Sequence, residues 1–221
     1  MDSGKSASMN TDQKKIFAKV ATGDWLMLRP TPGNETLFEK GILLNAHHTH
    51  DEVIAVESGE TYCGSAQWPH FKKVGLADRI IEAEAGKIVY AIFRWYGFID
   101  GPLSNSIFYE KCQEAVVACV KFAILLRVPY DVTAIRTHVR NYIRSRLHVK
   151  WLPPILTTHK EDHVFCTESN LHIYAVAGIT PMETDGQPLP HPVHADKMVA
   201  NKKLLLVHDG GLMKYMKAEQ K

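Results

Sequence analysis

The feature that most constrains the fold is a change of hydrophobic period along the chain. Between about residue 25 and residue 96, apolar residues come in short β-branched and aromatic runs, "DWLMLRP", "EVIAVES", "KKVGLADRIIEAEAG" and "KIVYAIFRW", punctuated by Gly, Pro or charges. Such runs read as antiparallel strands. From Ser106 onward, Ile107, Cys112, Val116, Cys119, Val120, Ala123 and Leu126 recur at three- and four-residue steps, the apolar face of a helix that ends before "VPYD". Strands followed by helices predict an α+β fold, a small antiparallel sheet or half-barrel packed against helices.

Later segments continue that organisation. "DVTAIRTHVRNYIRSRLHV" has helical spacing, with Ile135, Val139, Tyr142, Ile143 and Leu147 on one side and Arg136, Arg140, Arg144, Arg146 and Lys150 on the other. The basic side reads as a solvated helix face. "WLPPIL" breaks the helix, "TPMETDGQPLPHPVHADK" reads as a Pro-rich loop centred on residues 181–195, and "KKLLLVHDG" reads as a final strand. The expected division is a polar lead over residues 1–22 and one domain over 23–221.

Composition narrows the function. With 26 basic and 24 acidic side chains and a net charge of +2, the chain is too evenly charged to call for a nucleic-acid partner. The N-terminus has no apolar core of a secretory signal, and the longest apolar stretch is broken by Lys121 and Arg127, so no membrane span is expected. Four cysteines without a C-x-x-C pair suit free thiols and a cytoplasmic location. No Gly-rich phosphate loop or G-x-S-x-G elbow occurs, which excludes the simplest nucleotide and serine-hydrolase readings.

One cysteine has a neighbourhood suited to chemistry. In "HVFCTESNLHIYAVAGI", Cys166 precedes a polar first turn and then an apolar stripe, so the thiol sits at a predicted helix start. Backbone N–H groups there favour a thiolate and can receive an oxyanion. The plainer reading, a small buried hydrophobe, is the commonest fate of free cysteine and leads on local signal alone. Cys112 and Cys119 lie on one helix face and read as packing, and Cys63, in a turn-like stretch, is the lesser alternative nucleophile. A cysteine nucleophile needs a base; His70, after Pro69 at a predicted sheet edge, is the candidate, with His50 as runner-up. Glu82, with Glu84 as alternative, would orient it from a neighbouring strand, though a surface glutamate fits the spacing equally. His47, His48, His50, Asp51 and Glu52, the pair His159 and His163, and the pair His191 and His194 lack a structural-zinc pattern and read as solvated, with no metal required.

Taken in order, Gly23 and Asp24, Ser65 to His70, Glu82 and Ala83, Tyr130 and Asp131, and Phe165 to Glu168 resemble the motifs of the circularly permuted papain-like amidases of the NlpC-related YaeF/YiiX type. That resemblance implies a permuted papain-like fold with no cofactor. It also implies a cysteine peptidase or amidase in which Cys166, His70 and Glu82 cleave an amide or peptide bond through a thioacyl-enzyme. The implied partner is a small peptide or amide-containing substrate, cell-wall-like or isopeptide. Thiol acyl transfer, lipid-acyl hydrolysis and a non-catalytic binding module are the alternatives.

Overall fold

The computed structural model describes residues 10–44, 46–98, 107–130, 166–177 and 192–217. Six strands form one open antiparallel sheet: β1 (Trp25–Pro30), β2 (His50–Glu57), β3 (Glu60–Ala66), β4 (Phe71–Gly75), β5 (Ile88–Trp95) and β6 (Leu204–Gly210), in spatial order β4-β3-β2-β1-β5-β6. The helices are α1 (Thr11–Phe17), α2 (Leu37–Ile42), α3 (Leu76–Glu84), α4 (Ile107–Leu126), α5 (Cys166–Val176), α6 (Pro192–Ala200) and α7 (Met213–Lys217). The β2–β3 hairpin turns at Ser58 and Gly59, both at positive φ, as a two-residue turn matched to the strand twist requires.

Alternation along the strands sends side chains to two cores. Trp25, Met27, Val53, Ala55, Ala91 and Phe93 belong to the larger one, which includes Val116 and Val120 of α4 and Cys166 and Tyr174 of α5. Leu26, Leu28, Ile54, Cys63, Tyr90 and Ile92 belong to the smaller one, with Ile16 of α1 and Leu76 and Ile80 of α3. The sheet is thus covered on both faces.

Four segments depart from the expected elements, the first being the turn-like stretch around Cys63, which is strand β3. The strand expected across "KKVGLADRIIEAEAG" stops at Gly75, and α3 follows. The steps from Leu76 to Ile80 to Ala83 put those side chains against one core, while Ile81 stays half-exposed; helical spacing and Ala/Glu content outweigh the β-branched Ile80–Ile81 pair. Glu82 and Glu84 therefore lie on a helix. The stretch expected as a Pro-rich loop contains the start of α6, with Pro192 as its first residue, a position where a missing N–H costs nothing. The polar lead contributes α1, capped reciprocally by Asn10 and Gln13. The helix expected over 131–149, its basic face, "WLPPIL", His159, His163 and His191 lie outside the described residues.

Candidate functional site

Cys166 is the first residue of α5, and its side chain is fully buried. The helix is fixed against the sheet by Tyr174, whose hydroxyl donates to the Gly23 carbonyl and whose ring packs 5.7 Å from that of Trp25. Gly23 has φ +91° and a Cβ there would meet the Phe98 ring at 3.0 Å, so the chain leading into β1 needs glycine at this point. The sulfur contacts the Thr49 carbonyl and the Thr167 hydroxyl, each at 4.0 Å.

The strand beside it supplies a carboxylate. Asp51, fully buried on β2, accepts a hydrogen bond from the Thr167 hydroxyl. Its other oxygen is 2.7 Å from His48 Nε2, and His48 Nδ1 is 2.8 Å from Asp196 of α6. Asp196 also accepts from the His47 backbone N–H at 2.6 Å. Burial pulls the His48 pKa down, but the two carboxylates outweigh it and push it up to about 10, so His48 is an imidazolium donating from both nitrogens. Asp196 is shifted the other way: burial raises it, and His48 more than compensates, holding it below its usual range. Burial pushes the Cys166 thiol up and the Asp51 charge adds to this; the backbone N–H groups of Asp51 and Thr167 oppose it without winning. The thiol is neutral.

The sequence-expected base and orienter sit elsewhere. His70 pairs with Pro129 in an isolated bridge; its Nδ1 donates to the Phe71 carbonyl at 2.9 Å and its Nε2 accepts from Arg127 at 2.8 Å. Glu82 accepts from Arg79 at 2.8 Å, and Glu84 accepts from Asn10 and Gln13. Among the described residues, neither His70 nor Glu82 is brought into hydrogen-bond contact with Cys166. The other thiols are placed as packing: Cys63 in the smaller core, Cys119 against the larger one, and Cys112 within it, where it donates to the Ala177 carbonyl at 3.2 Å.

The opposite face of β2 holds a second polar cluster. Buried Glu52 accepts from Ser65 at 2.6 Å and from Gln67 at 3.3 Å, and is gripped by the Arg79 guanidinium through Nε and Nη2. His50 Nε2 lies 2.9 Å from the Ser65 hydroxyl. Burial would raise the Glu52 carboxyl; His50 and Arg79 overcome this and keep it ionised well below the usual carboxylate range. The histidine cluster expected to be solvated is thus divided, with His48 fully buried in one network and His50 at the edge of another. The available signal was two adjacent acids entering an apolar run, "DEVIAV": inside a covered strand each must find a partner. Among the described residues, no three His, Cys, Asp or Glu side chains are grouped to hold a metal ion. Nor is any helix among them long and apolar enough to cross a membrane.

No protein-family model matches the chain. No curated protein matches it. Among solved structures it is similar to a protein of Escherichia coli O157:H7 described as the metalloprotein yiiX, at 17% identity and a TM-score of 0.48, over 85% of this chain and 89% of that one.

Proposed function

We propose that this chain is a binding module in which Cys166 occupies the place of a nucleophile without its ionisation. The observation that carries this reading is the buried Asp51 carboxylate beside the start of α5. A cysteine nucleophile works as a thiolate stabilised by a cationic neighbour, whereas a neighbouring carboxylate favours the neutral thiol. His48, the nearby cation, spends both ring N–H groups on Asp51 and Asp196.

The second reading is a cysteine-dependent amide or peptide hydrolase working through a thioacyl-enzyme, with Cys166 as nucleophile, His70 as base and Glu82 as orienter, or the corresponding acyltransferase. It is favoured by Cys166 opening an eleven-residue helix, where free backbone N–H groups can receive an oxyanion. His70 would have to leave Phe71 and Arg127 to serve.

Iodoacetamide labelling with peptide mapping between about pH 6 and 9 separates the two. In the binding module Cys166 labels no faster than Cys112 or Cys119, and Asp51→Asn, which removes the charge and keeps an acceptor for Thr167, raises its rate at neutral pH by about threefold or more. Fast labelling of wild-type Cys166, abolished by His70→Ala, overturns the binding reading in favour of the hydrolase.

A further inference from the structure

We infer that the pocket where the β1, β2 and β3 ends meet α2 and α3 binds an organic cation, an ammonium or guanidinium group on an alkyl stem such as a lysine or arginine side chain. The pocket has a volume of about 340 Å³, at the small end of ligand sites and suited to one side chain rather than a large cofactor.

Its lining decides the chemistry. Leu28 and Ile88 provide apolar surface for a stem, and Phe38, Trp68 and Tyr130 provide three aromatic rings. Trp68 is 67% exposed, so its ring is accessible from the pocket. Two carboxylates, Glu39 and Glu82, share the lining with Arg79 and His50, and Glu52 lies directly behind. Counting Glu52, three carboxylates face one guanidinium around the pocket, with the His50 ring 3.3 Å from Glu52.

Arg79 would be the natural receptor for an anion, but its Nε and Nη2 already donate to Glu52 and its Nη1 to Glu82, so that two N–H groups remain on a guanidinium already paired with two carboxylates. An entering anion would compete with a buried ion pair. An entering cation meets carboxylate oxygens with remaining lone pairs, at Glu82 above all, whose side chain is 39% exposed. Aromatic faces add a cation–π attraction, which a neutral stem of the same shape does not gain.

This inference gives the binding reading a ligand and is tested by affinity rather than by thiol reactivity, so the two can fail separately. The full chain is titrated with Nα-acetyl-lysine methylamide, with its arginine counterpart and with the neutral norleucine analogue, following the Trp68 indole signal by NMR and, so that the Trp68→Ala variant can be read as well, the heat of binding by calorimetry. The expected result is saturable binding of at least one cation, about tenfold tighter than norleucine. Glu82→Gln, which keeps a hydrogen-bond acceptor for Arg79, and Trp68→Ala should each weaken it several-fold. The inference is overturned by equal binding of norleucine, by no saturable shift with either cation, or by unchanged affinity in both variants.

Discussion

The two faces of β2 solve one problem in different ways. Asp51 and Glu52 are adjacent, fully buried and ionisable, and the strand pleat sends them to opposite cores. On the α5 face, Asp51 is closed in by His48, Thr167 and, through His48, Asp196, so the polar network joins α5, β2 and α6. On the α3 face, Glu52 is neutralised by Arg79, and that network opens through Arg79 and His50 into a pocket. A buried charge needs a partner, but only the geometry of that partner decides whether the result is a structural clamp or the wall of a site.

The largest expected effect breaks the α3 side. Arg79→Met leaves Glu52 buried without its cation and should cost about 3–5 kcal/mol in urea unfolding. Adding Glu52→Met should recover most of the loss, because the charge and its partner then go together; a double variant as unstable as the single one would contradict this account.

The clamp side is probed by pH. A His48 pKa raised to about 10 means its contribution is fully present below the unfolded value near 6.5 and is lost as pH rises toward 10. Asp196, held low, contributes above its ordinary value near 3.8, and this is lost in acid. Urea midpoints should therefore fall between pH 7 and about 10 in wild type. They should fall less in Asp196→Asn, where His48 keeps one carboxylate; equal slopes would show that His48 is not so held. The smallest effect lies outside the comparison: Asn10→Ala removes the α1 cap at a cost of about 1 kcal/mol. It should leave both clusters' pH behaviour unchanged in the same unfolding measurement.

What could be read in advance followed from periodicity. The α4 spacing placed Val116 and Val120 in the larger core, and β1, β5 and β6 were visible as apolar runs bounded by turns. Helix α3 was not visible because its Ile80–Ile81 pair imitates a strand in a short window, although only Ile80 is buried. The start of α5 at Cys166 was legible from the polar turn after it. Its anionic neighbour was not, since the contact between Thr167 and Asp51 spans 116 residues and depends on strand register, which local composition does not encode.

The sheet order has a consequence for synthesis. Five of the six strands among the described residues lie between Trp25 and Trp95, so they can pair as soon as that stretch has left the ribosome. The sixth, β6, pairs along β5 from Trp95 with Leu204, so the flank of β5 that it will cover stays open while more than 100 residues are added. For that interval β5 lacks its β6 partner, and an unpaired apolar strand edge is the kind of surface that invites pairing with another chain.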